Sequence, residues 1–265
     1  MEHALFITNS KNLKYYKDDF SRIYFGNEFC ERLIPSMYET QKMIRFCNKS
    51  KIPLTIVTPY LTDKGIKEWG SLMNKLKKNK IIDEIVFNDW GMYNLFKKKL
   101  SNKRWVKGRV LSKQYKDLVL DSTRKETYES ILPLFQGEMT DTKMCQDFLA
   151  ENDVLMVELD NLSQGIHLNL KGSKIKASLY HPFKYISTTR LCPSANCTSK
   201  HKRILTIEDS CNFECKKYTF KVEKKGRTKH MILKGNTYFH YLNNVPKDLE
   251  KKGITRLVFQ PQIPM

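Results

Sequence analysis

Short strand-like runs recur along this chain with helix-length amphipathic stretches between them, and that alternation limits the fold more than any other feature. Arg22–Phe25 is β-branched and aromatic, and Pro35–Asn48 reads as a helix. Leu54–Thr58 reads as a buried strand. Asp63 is the expected N-cap of a helix over Lys64–Lys77, whose apolar Ile66, Trp69, Leu72, Met73 and Leu76 recur at helical spacing. Asp83–Phe87 is the next strand. Asp89 caps a helix with Met92, Leu95 and Phe96 on its inner face, and Arg104–Val106 follows as a strand. Val154–Leu159, Lys176–Tyr180 and Thr255–Phe259 complete a set of about seven. Strands separated by helices of roughly 10–15 residues imply βαβ units and a parallel sheet. The expected class is α/β, an incomplete TIM-like (β/α) barrel, and 265 residues suit one such unit. Polar residues and a cysteine follow the strands directly, where barrel sites usually lie: Asn27, Glu28 and Cys30, then Asn88 and Asp89, then Asp160 and Asn161. From Cys192 to about Asn244 the pattern changes. Tyr218–Val222, His230–Leu233 and Tyr238–Leu242 alternate like a small antiparallel meander. We therefore divide one integrated domain into a barrel-like region (1–191), a β-rich, cysteine-containing appendage (192–244) and a final barrel strand with the C-terminus (245–265).

Seven cysteines are the main chemical signal. Leu5-Phe6-Ile7 is too short for a secretory core, and no apolar run reaches the roughly 20 residues that span a bilayer. The expectation is a cytoplasmic protein in a reducing compartment, where cysteines point to metal or redox chemistry rather than disulfides. Cys211 and Cys215 stand four apart, a spacing that turns two thiolates toward one metal. Cys192 and Cys197 stand five apart on a Pro-containing loop. The neighbouring Lys200, His201, Lys202, Lys216 and Lys217 would favour thiolates. Two metal sets compete. Cys192, Cys197, Cys211 and Cys215 would make a local zinc site. Alternatively, three of these would join Cys30, at the expected barrel mouth, on an iron–sulfur cluster. Cys47, inside a helix, and Cys145, between helical stretches, read as small buried hydrophobes. Spacing alone leaves zinc and iron–sulfur open.

A set of ordered segments resembles a known family. They are Tyr24-Phe25-Gly26-Asn27-Glu28-Phe29-Cys30, Thr189-Arg190-Leu191-Cys192, Asp209-Ser210-Cys211-Asn212-Phe213-Glu214-Cys215, Lys234-Gly235-Asn236-Thr237 and Gly253–Pro261, with Asp89-Trp90-Gly91 and Val106-Lys107-Gly108 between. Together they resemble the UbiV-type branch of the collagenase-like (U32) peptidase family, from about Leu5 onward. The resemblance implies a partial TIM-type barrel and a 4Fe–4S cluster on Cys30, Cys192, Cys211 and Cys215, with Cys197 a spare or alternative ligand. It also implies oxygen-independent hydroxylation by a heterodimer of related cluster-binding subunits, with prephenate as oxygen source. Zinc, having no redox chemistry, does not serve that reaction. The sequence departs from the family in a longer Cys192–Cys211 loop and at Ser178–Phe183, where expected acidic and glycine residues are absent. The hydroxylated substrate therefore stays open.

Other residues carry candidate roles. Glu158 and Asp160 would serve as a general acid/base pair, or cap a following segment or pair with Arg190. His181, beside a strand end, would donate a proton or bind a carboxylate. Arg190 would hold a carboxylate bidentately or bind loop carbonyls. Glu28 would support Cys30 from behind. The formal charge of +19, from 47 Lys and Arg against 28 Asp and Glu, suits a polyanion such as RNA. On that alternative the chain is a zinc-stabilised RNA-binding or RNA-modifying module, with Tyr218, Phe220, Tyr238 and Phe239 stacking on bases. A true peptidase is the weakest reading, because no nucleophile elbow or His-Glu-x-x-His helix is present.

Overall fold

A computed structural model describes residues 1–116, 125–170, 172–199, 211–223 and 230–265. Eight parallel strands close into a barrel: β1 (Glu2–Ile7), β2 (Arg22–Gly26), β3 (Leu54–Val57), β4 (Ile82–Phe87), β5 (Arg104–Lys107), β6 (Met156–Asp160), β7 (Lys176–His181) and β12 (Ile254–Phe259). Around the ring the order is β1-β12-β7-β6-β5-β4-β3-β2. The strand absent from the sequence reading is β1. Its Leu5-Phe6-Ile7 core is short enough to pass for an isolated apolar patch, yet it pairs with both β12 and β2 and closes the ring.

Helices cover only part of this ring. α1 (Met37–Ser50), α2 (Asp63–Leu76) and α3 (Trp90–Phe96) follow β2, β3 and β4, while α4 (Lys125–Gln136) and α5 (Lys143–Glu151) lie between β5 and β6. No α-helix among the described residues follows β1, β6, β7 or β12. The barrel is thus complete in strands and incomplete in helices. Capping fixes the helix starts. Ser36 accepts a hydrogen bond from the Glu39 N–H, and Asp89 accepts one from Met92. Thr62, not Asp63, caps α2, accepting from Gly65. In α3 the inner face is Met92, Tyr93 and Phe96; Leu95 points out and is 54% exposed.

The apolar core lies between the strands and the helices, where Trp69 meets Phe96 edge-on at 5.2 Å. The barrel interior is smaller in apolar content, with Phe6, Tyr24, Val57, Val86, Val106, Tyr180 and Val258 together. Its N-terminal end is ionic. Arg22 pairs with Glu2, Asp83 and Glu84, and Arg256 pairs with Glu2 and Glu84. Removing one partner of so buried a set costs about 3–5 kcal/mol by exposing the rest as unpaired charge.

A second sheet is inserted between β7 and β12. It orders as β8 (Phe183–Thr188), β11 (Thr237–Tyr241), β10 (Met231–Lys234) and β9 (Phe220–Val222), all antiparallel. The meander expected from alternation is β9–β11. The added strand, β8, leaves the barrel directly after β7 and carries the chain toward Cys192.

Candidate metal centre at the barrel rim

The first thiol is held at the rim by the end of β2. Gly26 has φ of +145°, and a Cβ there would lie 2.0 Å from the Val57 carbonyl oxygen. Only glycine lets β2 run this close to β3 and turn outward. The buried Asn27 side chain then accepts from the N–H groups of Phe29 and Cys30 at 3.0 and 2.9 Å. This local turn presents Cys30 outward. Glu31, next in the chain, accepts from the N–H and hydroxyl of Thr62, so the turn is tied to the start of α2.

The other three thiols come from the appendage and lie near enough to Cys30 for their charge to act on it. Burial pushes the Cys30 thiol up to about 12, with charge on Cys215, Cys192 and Cys211 adding to the rise. Burial likewise pushes Cys215 up to about 11, reinforced by Cys192 and Cys211, and raises Cys192, reinforced by Cys211. Cys197 is exposed and is not among the groups acting most strongly on any of these. Thiols so raised ionise only when an ion or cluster compensates their charge. Backbone N–H groups already point at the sulfurs: Arg32 toward Cys30, Ser194 and Ala195 toward Cys192, and Phe213 toward Cys211 at 3.3 Å. Phe213 adopts φ of 57°, the left-handed turn that brings its N–H back to Cys211. Among the described residues, no three His, Cys, Asp or Glu side chains stand at the distances of a closed metal site. The donor set itself, four sulfurs with N–H donors toward three of them, fits an iron–sulfur cluster.

One side chain links the two halves of this centre. Asn236 Nδ2 donates to the carbonyls of Phe29 and Thr189 and to the Tyr60 hydroxyl, at 2.7, 2.6 and 2.9 Å. Its neighbour Gly235 forms the β10–β11 turn with φ of +60°, and its carbonyl accepts from Ser194. A Cβ at Gly235 would stand 3.3 Å from the Cys215 Cβ and 2.3 Å from the Met265 methyl. Glu214 in turn accepts from the Asn196 N–H, joining the Cys192 loop to the Cys211–Cys215 turn. The sequence reading quoted this hairpin without giving Asn236 a role; nothing in its residue type foretold three partners. The Lys200, His201 and Lys202 neighbours expected to offset charge, and most of the long loop before Cys211, lie outside the described residues.

The remaining candidates fall elsewhere. Asp160 does not pair with Arg190. It pairs with Arg109 at 2.7 Å and with Lys116, and Arg109 also grips Glu28. Arg109 stands two residues past the end of β5, after Gly108, and is not among the residues that the sequence analysis singles out. It is wholly buried, stacks over Tyr180 at 4.3 Å and donates to the Phe183 carbonyl at 2.9 Å. Glu28 is held by Arg109 through its carboxylate. Burial lowers Lys116 to about 8 despite Asp160 beside it. Arg190 lies over the Tyr60 ring, 5.4 Å away, on a cleft shared with Cys30, Arg32, Thr62 and Asn236. Glu158 lies inside the barrel, bonded to the Tyr24 hydroxyl and not positioned as a pair with Asp160, which is committed to Arg109. His181 lines a groove on the outer barrel wall with His3, Phe20 and Phe259, away from the cysteines, and burial lowers it to about 4. Phe239 is fully buried against Phe29, so it is not available to stack on a base. Cys47 is buried in α1 and Cys145 half-buried in α5.

Comparison with known proteins places the fold. No family model matches the sequence, and no curated protein matches it. A solved structure, that of the U32 peptidase Mk0906, superposes with a TM-score of 0.52 at 8% identity, covering 100% of this chain and 94% of that one. The chain thus has the fold of a U32 peptidase along its whole length. No described helix is long and apolar enough to cross a membrane.

Proposed function

We infer that this chain is an iron–sulfur protein in which Cys30, Cys192, Cys211 and Cys215 hold one 4Fe–4S cluster. It acts as the cluster-binding subunit of an oxygen-independent hydroxylase, beside a related cluster-binding partner, with prephenate as oxygen donor. The observation that carries the metal reading is the convergence of one barrel-rim thiol with three appendage thiols while Cys197 stays exposed outside. The family-like motifs and the shared U32 fold support the hydroxylase reading. Bound there, a cluster supplies one-electron chemistry. The chain's own residues supply the four thiolates and the N–H donors that stabilise charge on sulfur and tune the potential. Asn236 and the Asn27 turn keep the ligands at fixed separation.

The test is anaerobic purification followed by iron and sulfide analysis and EPR of the reduced protein. Cys30→Ala is expected to lose the cluster and Cys197→Ala to keep it. Stoichiometric zinc without sulfide, or iron retained in Cys30→Ala and lost in Cys197→Ala, would overturn the reading in favour of the local four-cysteine site.

A second reading, RNA binding, has two specific observations in its favour. Residues 192–244 carry eleven Lys or Arg against four Asp or Glu. The appendage sheet also bears a groove lined by Lys221, His230, Ile232 and the 57%-exposed Tyr241. Affinity for single-stranded RNA that falls steeply with salt and drops in Tyr241→Ala is its expected signature.

A further inference from the structure

Among the described residues, every buried carboxylate inside the barrel but one has an opposite charge beside it. At the N-terminal end, Glu2, Asp83 and Glu84 are met by Arg22, Arg104 and Arg256. At the rim, Glu28 and Asp160 are met by Arg109 and Lys116. Each set is neutral in itself. Glu158 lies between them on β6, fully buried, and makes no ion pair among the described residues. Its Oε1 accepts from Tyr24, whose hydroxyl in turn accepts from Arg256. Arg256 is already committed to Glu2 and Glu84. Glu84 and Glu28 face Glu158 as like charges.

A bare carboxylate in that place would be a charge without a counter-ion in a closed interior, which costs far more than protonating it. Its second oxygen, Oε2, has no hydrogen-bond partner, and neither do the Ser178 hydroxyl beside it in register on β7 or the Tyr180 hydroxyl one step further. A neutral carboxylic acid has one O–H to donate, and two acceptors with no other partner stand on the adjacent strand. Neither is bonded to it directly, so the three unpartnered oxygens mark a closed polar spot that holds no compensating charge.

We propose that Glu158 is a neutral carboxylic acid in the folded protein at neutral pH, kept so by a closed interior that gives it no counter-charge of its own. The inference concerns the barrel alone and does not rest on the cluster reading. Burial, opposed by Arg256 and the Tyr24 hydrogen bond, carries its pKa from 4.5 to about 8.

The linkage has a definite sign. Between the unfolded and folded values the native state holds one proton more than the unfolded chain, so this group's contribution to stability is full below about pH 4.5 and is lost as pH rises toward about 8. Equilibrium unfolding of wild type and Glu158→Gln should be measured across this range. The ratio of their unfolding constants is expected to rise about tenfold per pH unit from about pH 5 to about pH 8, wild type losing ground. A flat ratio overturns the proposal. If Glu158→Gln does not fold, infrared titration of wild type, with ¹³C-labelled glutamate, reads the acid directly. A protonated-carboxyl band persisting above neutral pH supports the proposal, and its disappearance by about pH 5.5, near the ordinary range, overturns it.

Discussion

Replacing Arg109 by methionine tests the buried ionic hub at the rim. The guanidinium donates to Glu28 at 2.7, 3.0 and 3.1 Å and to Asp160 at 2.7 Å, with all three side chains fully buried. Methionine fills similar volume without charge. Asp160 keeps Lys116, so the damage concentrates on Glu28, which is left as a buried carboxylate without a counter-charge. Stranding one member of a buried pair costs about 3–5 kcal/mol. The Phe183 carbonyl also loses its donor, adding about 1 kcal/mol. Urea denaturation at pH 7 should therefore show a loss of about 4–6 kcal/mol. In the double variant Arg109→Met, Glu28→Gln the stranded charge is gone, and part of that loss should return, by about 2 kcal/mol or more. The reasoning is refuted if Arg109→Met costs under about 1 kcal/mol, or if adding Glu28→Gln makes the loss larger.

Two further changes read other parts of the structure. Gly235→Ala forces a side chain into a left-handed turn and against Met265 and Cys215, so we expect a loss of about 1–3 kcal/mol together with weaker metal retention; unchanged melting and iron content would contradict the close approach. His181, held down to about 4 by burial and by His3, binds fewer protons folded than unfolded, so its contribution is lost as pH falls from about 6.5 toward 4. His181→Gln should flatten that acid limb, by less than the tenfold per pH unit of a fully buried group because the ring is partly solvated; identical limbs would show that the ring titrates normally.

The strands and helices were legible because burial on both faces of a parallel strand writes a continuous apolar run, as at Leu54–Val57, and helix spacing is plain around Trp69. The limits came where one residue serves two contexts. Leu95 fits an apolar stripe yet faces outward, since Tyr93 takes the inner place and bonds the Asn152 carbonyl. The cysteines were legible as a set because thiol spacing is chemically rare. Their wiring was not, since Arg109, Lys116 and Asn236 gain meaning only from partners far along the chain. Asn236 reaches Phe29 across 207 positions, a pairing that no local pattern encodes.

That wiring separates the iron–sulfur and zinc readings by their effect on folding. A local zinc site of Cys192, Cys197, Cys211 and Cys215 would be the appendage's own fastening, and removing the metal would unfold it, as in small zinc modules. Here the appendage is fastened without metal. β8 runs out of β7, Tyr185 donates its N–H to Asp160 and its hydroxyl to the Arg109 carbonyl, and Phe29, Tyr185 and Phe239 pack as a separate apolar cluster under the sheet. Asn236 closes the rim on the other side. A centre whose ligands are positioned by such contacts loses its metal without losing its frame. The metal-free protein should therefore keep the far-ultraviolet circular dichroism of the loaded form, and amide protection in β8, β10 and β11 should survive chelation. Exchange of those amides at the rate of an unfolded chain after metal removal would mean that the metal, and not Arg109, Asp160 and Asn236, holds the two sheets together.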